Sequence, residues 1–467
     1  MKLVFTTFIR ENGSQLVAVF LGTLNAISDG MQYGWTAPSI PVLRSPGSPI
    51  TITHTKEVWL ELCYMIGGFV GLPFSIFLVD FIGRKKTVLF SSVVGLMGWI
   101  SIAIAHNIYY LYAGRLLLGV TADIAFTASP VYISEIAHQG VRGFLAGQIY
   151  LMMLVGIIII YSIGPWLPIY GSAIVGCCLL VIQLVLFPLM PESPYYLIYI
   201  GQNERAEKSL KFFRGNIDVS AELQEIKSAV ERQKSEKGRP EDLFRIDSNR
   251  KACLIMILLN YTQHFAGVSA LVMNLHSILI QADSNVISAD HVAILFPSLM
   301  LVSATIATVK VDDCGRKILL LVSGIITTVT LFILGAFFQM QSMKFQTQNY
   351  SWIPFVVIMF YAVGIKFGLA IVPIVITAEL FPAKVKGMGM ALADFVYILS
   401  SITSVYLYQW ININYTLSVS FFVFGTLCAL STIIIHFYVP ETKGKTLEEI
   451  QMILKNVRTV DVQNTKL

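Results

Sequence analysis

Apolar residues in this chain come in long runs, at 16–40, 58–81, 87–106, 109–133, 143–163, 167–190, 250–281, 292–309, 318–341, 352–379, 387–409 and 414–439. Most of them clear the ~20 residues that a helix needs to cross ~30 Å of hydrocarbon. Lipid leaves no water for backbone N–H and C=O groups, so runs of this kind must be helices, and the alternating pattern of a membrane barrel is absent. Twelve spans are therefore expected. Between the sixth and seventh runs, residues 201–251 carry charges of both signs at helical spacing. This stretch reads as a cytoplasmic linker with short amphipathic helices, either a solvated connector or a segment that binds a partner. The expected fold class is an all-α membrane protein with twelve transmembrane helices in two six-helix bundles. Residues 1–190 form the N-terminal bundle, 191–249 the cytoplasmic linker with short helices, 250–440 the C-terminal bundle and 441–467 a cytoplasmic tail.

Composition agrees with that pattern: 467 residues with 55% hydrophobic and 13% charged content do not wrap into an ordinary soluble domain. The first run follows Lys2 and Arg10, yet it is too long for a signal-peptide core and lacks a small-x-small cleavage site, so it reads as an uncleaved first helix. The six cysteines form no C-x-x-C pair and mostly sit inside apolar runs, which predicts buried free thiols. Basic residues set the orientation. With both termini cytoplasmic, the inner loops and tails collect nearly all of them, Arg84, Lys85, Lys86, Arg316 and Lys317 included, and the outer loops keep only Arg44, Lys56 and Lys344. The net charge of +5 is thus a topological signal, and no nucleic-acid partner is expected.

One pattern occurs twice, as "VDFIGRKK" between spans 2 and 3 and "VDDCGRK" between spans 8 and 9. Asp80 and Asp312, Gly83 and Gly315, Arg84 and Arg316 stand at one constant offset, and Glu135 with Arg142 after span 4 matches Glu379 with Lys386 after span 10. "PESP" at 191 likewise pairs with "PETK" at 440. The halves read as internal copies. Acidic and basic residues on short cytoplasmic loops suit a latch between two bundles that rock against each other, and Gly83 and Gly315 allow the tight turns. The alternative is that these charges only set topology and cap helices.

At these residues the sequence resembles the sugar porters of the major facilitator superfamily, and within it the animal glucose and insect trehalose facilitators. The carrying stretches are "GRLLLG" at 114, "PVYISE" at 130 with "RG" at 142, "PESP" at 191, "VDDCGRK" at 311, "AELFP" at 378 and "VPETKGKTLEEIQ" at 439. The resemblance implies the major facilitator fold, alternating access, and a sugar site near the membrane midplane. In span 7, "NYTQHFAGVSALVMN" keeps Gln263 and Gly267 of a family stretch and puts His264, Ser269 and Met273 with Asn274 in place of its glutamine, asparagine and aromatic pair. Tyr150 replaces a span-5 glutamine, and Tyr397 with Ile398 replaces an Asn-Trp pair. The candidate sugar-binding residues are Gln263, His264, Ser269, Asn274, Tyr150 and Tyr397, with helix–helix hydrogen bonding as the alternative role for such polar groups.

Intramembrane charges are costly unless paired or solvated, and the sequence offers Asp29, Arg115, Asp123, Lys366 and Asp394. Asp29 in "LNAISDGMQYG" corresponds to an aspartate that proton-coupled sugar porters carry opposite a span-4 arginine, which Arg115 resembles. The two are candidate coupling residues, or else a fixed ion pair. No metal-ligand spacing, phosphate loop or nucleophile–base pair is present, so neither an enzymatic activity nor a metal or cofactor is expected. The expected function is transport of a neutral sugar, a hexose or trehalose, by a monomer in the lipid bilayer of the plasma membrane, either as a facilitator or as a proton-coupled symporter. A non-transporting sugar sensor and a carrier of another small polar solute are the alternatives.

Overall fold

The computed structural model describes residues 13–45, 47–48, 50–138, 141–215, 218–235, 239–282, 288–445 and 447–455. Among them regular structure is helical throughout. Eleven helical segments are long and apolar enough to cross a membrane: His54–Phe81, Arg84–Ala103, Ile108–Ile136, Phe144–Ile163, Ile169–Leu189, Asp247–Gln281, Ala289–Thr308, Arg316–Ser342, Ile353–Thr377, Lys384–Asn414 and Leu417–Tyr438. These are spans 2 to 12. Span 1, residues 13–44, is helical in three pieces, with turns at Thr23 and Trp35 between them. Thr23 Oγ1 lies 2.9 Å from the Val19 carbonyl and 3.1 Å from that of Phe20, a back-bond that competes with the helix ladder at the first turn. The outer piece, Thr36–Arg44, carries Pro41 inside it. It runs beyond the expected end at 40, and Arg44 closes the outer loop by a two-point ion pair with Glu57 of span 2.

The chain divides into two compact units, residues 1–236 and 237–467. In the first, spans cross at glycines. A Cβ on Gly67 would collide with the Leu116 carbonyl, and one on Gly119 with the Tyr64 carbonyl. Gly30 and Gly156 make the same close approach between spans 1 and 5, against the backbone of Met153 and Ile27. Small residues let helix backbones touch where no hydrophobic effect drives them together. These two crossings hold Asp29 and Tyr64 in place.

Residues 191–235 are a folded element of the first unit. Helices Asn203–Arg214 and Ser220–Ser235 bury Ala206, Leu210, Ile226 and Val230 against Leu197 and Ile198 of the short helix Pro194–Tyr199. Arg214 pairs with Glu222 and donates to the Ile136 carbonyl at 2.9 Å, and Gln15 bridges the Phe213 carbonyl at 3.2 Å and the His138 N–H at 2.9 Å. The amphipathic spacing seen in the sequence is thus a packing face.

In the second unit, spans 7 and 10 are interrupted at mid-depth. Asp247–Phe265 and Val268–Gln281 meet at Gly267, whose φ of +86° is in the left-handed region that a side chain resists. Ile353–Phe367 and Val372–Leu380 are parted by residues 368–371. Backbone groups freed by a break inside a membrane must be met by the protein itself. Here the Tyr361 hydroxyl donates to the Ala266 carbonyl at 2.9 Å, Ser404 to the His264 carbonyl at 2.7 Å, and the Leu369 N–H to Ser323 Oγ at 2.9 Å. All six cysteines are free, but only Cys253 and Cys428 are buried. Cys178 and Cys314 are exposed, which corrects the expectation of buried thiols: an apolar span such as that of Cys178 also has an outward face, and Cys314 lies in the turn motif rather than in an apolar run.

Tyr361→Phe removes the hydroxyl from the break in span 7 and leaves a buried carbonyl short of a donor. The expected loss is about 1–3 kcal/mol, seen as a lower melting temperature of the detergent-purified protein with secondary structure retained.

Candidate functional site

Each unit carries a charge cluster built on its Gly-Arg turn. In the first, Gly83 at φ +96° reverses the chain between spans 2 and 3 and starts the next helix at Arg84. Arg84 Nε and Nη2 donate to Glu135 Oε1 at 3.1 and 2.9 Å, and Nη1 to Asp80 at 3.2 Å. The guanidinium also lies 5.3 Å from the Tyr196 ring centroid. In the second, Gly315 at φ +89° precedes Arg316, whose Nη2 donates to Glu379 at 3.0 Å. The Asp312 side chain lies outside the described residues. Arg142 and Lys386 join neither cluster among the described residues, and Arg142 Nε is buried without a hydrogen-bond partner.

Two glutamates that sequence reasoning did not single out complete these turns. Glu192 Oε1 accepts the Lys85 N–H at 2.9 Å, and Glu441 accepts the N–H groups of Arg316 and Lys317, both at 3.0 Å, and of Lys443 at 2.9 Å. Each carboxylate sits on the N-terminus of the helix after the glycine, where unpaired N–H groups and the helix dipole favour negative charge. A Cβ on Gly83 would stand 2.7 Å from Glu192 Oε2, and one on Gly315 2.9 Å from Glu441 Oε2. The glycines are needed for this approach as well as for the turn. The matched "PES" and "PET" were the available signal.

Polar side chains in the first unit's interior gather around Arg115, which is fully buried. Its Nε donates to the Leu60 carbonyl at 3.0 Å and its Nη1 to Gln32 Oε1 at 2.9 Å and to the Gln32 carbonyl. The guanidinium lies 4.8 Å from the Tyr64 ring centroid and 5.7 Å from that of Trp35. Asp29 is bound by the Tyr64 hydroxyl. The fixed Asp29–Arg115 ion pair, one of the two readings of the sequence, is not formed among the described residues; the Tyr64 hydroxyl binds Asp29 and its ring lies against Arg115 instead. Glu61, one helical turn before Tyr64 and fully buried, is missing from the intramembrane charges picked out of the sequence, although it falls inside the run 58–81. Tyr150 is half-buried on span 5, and Asp123 is half-buried on span 4.

The second unit brings most of the other candidates together at the break in span 7. His264 Nδ1 and Ser269 Oγ share a hydrogen bond at 2.9 Å, and Ser269 and Ser401 share one at 3.1 Å. The Tyr397 ring meets the His264 imidazole edge-on at 4.4 Å between centroids. Gln409 donates to Asn274 Oδ1 at 3.3 Å, one helix turn further along span 7. His264 Nε2 is buried with no hydrogen-bond partner among the described residues. Gln263 is 3% exposed, beside the histidine. Ser401, Ser404 and Gln409 escaped sequence reasoning because a serine or glutamine in an apolar run carries no mark of which neighbour it meets.

Residues 15–454 match the family model described as "Sugar (and other) transporter". The facilitated trehalose transporter Tret1 of Bombyx mori is 29% identical over 464 residues, which covers 96% of this chain and 89% of that protein. Its counterpart in Apis mellifera ligustica is also 29% identical, over 94% of this chain and 87% of its own length. Among solved structures, the inward-open xylose transporter XylE from E. coli superimposes with a TM-score of 0.78 at 20% identity, over 94% of this chain and 99% of that one. The proton:xylose symporter XylE bound to 6-bromo-6-deoxy-D-glucose gives 0.72 at 22% identity, over 94% of this chain and 100% of that one. The likeness in structure shows a major facilitator superfamily fold of two six-helix bundles.

The Glu441 contacts make stability depend on pH. Burial pushes this carboxyl up, and the N–H groups of Lys443, Arg316, Lys317 and Thr442 outweigh burial and leave it below its ordinary value. A group lowered in the folded state adds stability above its unfolded value and loses it as pH falls through the folded one. Glu441→Gln should therefore melt below the unmodified protein at neutral pH, and the gap should close as the solution is acidified below about pH 4. Thermal melts across that range check it.

Proposed function

The chain belongs to the sugar transporter family, and from that premise we propose that it carries a neutral sugar, a hexose or trehalose, across the plasma membrane by alternating access. On this reading both termini are cytoplasmic, the working form is a monomer in the lipid bilayer, and no cofactor takes part. Tret1 relatives of Bombyx mori and Apis mellifera ligustica, named as facilitated trehalose transporters, support the substrate class. So does the chemistry at the break in span 7. Sugar hydroxyls need hydrogen-bonding side chains, and the C–H faces of a sugar ring need an aromatic surface. Gln263, His264, Ser269 and Asn274 supply the former from one helix pair, and Tyr397 supplies the latter. His264 Nε2, buried and unsatisfied, is the observation that carries this reading. An orphaned polar atom in an otherwise satisfied network marks a place where a ligand hydroxyl or water completes the bonding.

The charge clusters act as gates at the cytoplasmic rim. Asp80, Gly83, Arg84 and Glu135 hold the first unit's loop, with Arg142 beside them at the start of span 5. Gly315, Arg316 and Glu379 do the same for the second, and the sequence repeat adds Asp312 and Lys386 to that gate. Asp29 and Arg115 couple the sugar step to protons through Tyr64: a change in the distance between the tyrosine and either charge alters how well the carboxylate is stabilised. With coupling the protein is a symporter, and without it a facilitator.

Uptake of labelled trehalose and glucose into proteoliposomes tests the central reading, and binding without uptake would make the protein a sensor. Gln263→Ala should weaken sugar binding about 5- to 150-fold, the equivalent of an unmet hydrogen bond worth ~1–3 kcal/mol, without loss of the folded protein. Unchanged affinity returns Gln263 to helix packing.

Asp29→Asn separates symporter from facilitator, because it keeps size and some hydrogen bonding but removes titration. A coupled carrier loses gradient-driven accumulation and keeps sugar exchange across the membrane. Accumulation that persists in Asp29→Asn rules this residue out as the proton site.

A further inference from the structure

Glu61 has no part in the transport scheme above, yet it is the most completely buried acid among the described residues of the first unit. It lies at 0% exposure within a membrane span, on the same face of span 2 as Tyr64, and next to Leu60, whose carbonyl holds Arg115. Arg115 is within electrostatic reach of both Glu61 and Asp29. One guanidinium therefore faces two carboxylates in a region without bulk water. If both acids were ionised the cluster would carry a net negative charge inside the membrane, which is costly unless a further cation enters. With one acid protonated the cluster is neutral.

Among the described residues, the other titratable groups around it supply no second cation. They are Tyr33 on span 1, Cys63 and Tyr64 on span 2 and Asp123 on span 4. Span 5 brings only Tyr150 and Tyr161 at this depth, and span 3 none beyond its cytoplasmic Arg84, Lys85 and Lys86. Asp123 is close enough to repel Asp29, which adds to the cost of ionising all the acids together. A second observation points the same way: among the described residues, Arg115 Nη2 and Gln32 Nε2, on fully buried side chains, have no hydrogen-bond partner. Two unmet donors on the side chains that make up this cluster leave it able to take up an acceptor in a new position.

We propose that Glu61 and Asp29 share one proton, with Arg115 neutralising whichever carboxylate is ionised, so that Glu61 is a second proton-binding residue of the first unit. The charge count stands whether or not transport is proton-coupled, and its test uses neither sugar nor a gradient. The infrared carbonyl stretch of protonated carboxyl groups is recorded on the purified full-length protein at neutral pH. Glu61→Gln and Asp29→Asn should each lower the signal by one carboxyl per protein, and the double variant by no more than one. Each substitution leaves one acid to one arginine, so no proton is needed, and any contribution from Asp123 is common to all the proteins and cancels in the difference spectra. A signal that survives in either single variant, or a double variant that loses two carboxyls, overturns the shared proton. Should Glu61→Gln fail to fold, Glu61→Leu removes the same carboxyl with a side chain suited to the membrane, and is read in the same way.

Discussion

Water is absent from the middle of this protein's environment, and every polar group placed there must find its partner inside the chain. That requirement explains the features that hydropathy alone does not. Spans 7 and 10 can break only because Tyr361, Ser404 and Ser323 stand where the freed backbone groups emerge. Arg115 can be fully buried only because two carbonyls, the Gln32 amide and the faces of Tyr64 and Trp35 surround it. A partner must also be reachable, so spans 1, 2, 4 and 5 approach at Gly30, Gly67, Gly119 and Gly156. Close packing at glycine and buried polarity are thus two sides of one arrangement.

At the Gly-Arg turns the two units solve one problem twice. A chain that leaves one helix and enters the next within a single turn needs a glycine with positive φ, and the new helix then presents unpaired N–H groups. Glu192 and Glu441 cover those groups from the far ends of their bundles, and they come close because the glycine lacks a side chain. The arginine after the glycine is then free to reach sideways to Glu135 or Glu379. Turn, cap and ion pair form one unit in each half, which is why the motif recurs whole.

The number of spans, the two halves and the rim motif were legible because each is written in sequence that is local or repeated. A run of apolar residues reports its own length, and Arg84 with Arg316 reports a duplicated loop. Span 1 was harder to read, since its breaks at Thr23 and Trp35 arise from a back-bonding hydroxyl and a proline-bearing outer piece, while the run stays apolar throughout. Interior partners were not legible at all. Tyr64 looks like one more aromatic in a membrane helix until span 1 places Asp29 against its hydroxyl, and Ser401 is an ordinary serine until span 7 brings Ser269 to it. Such pairings depend on which faces of which helices meet, and one strand of sequence holds that only after the packing is known. Glu61 was different: its charge was visible in the run, and only its depth was not.

The duplication is kept at the rim and abandoned in the interior, and the physical demands on the two places account for the difference. A turn must be closed in both halves, so the same residues do the same work and a change in either would leave N–H groups bare. The interior has no such common task. In the first unit it is built on ionisable side chains, with Asp29, Glu61, Tyr64 and Arg115 in one cluster. At the span 7 break of the second it is built on hydroxyls, amides and an imidazole, with His264, Ser269, Ser401, Asn274 and Gln409 linked by neutral hydrogen bonds. A cluster of charges responds to protons and changes its preferred arrangement when one binds. Neutral donors and acceptors such as these hydroxyls and amides keep their bonding pattern across pH, and groups of that kind can recognise an uncharged solute by the positions of its hydroxyls.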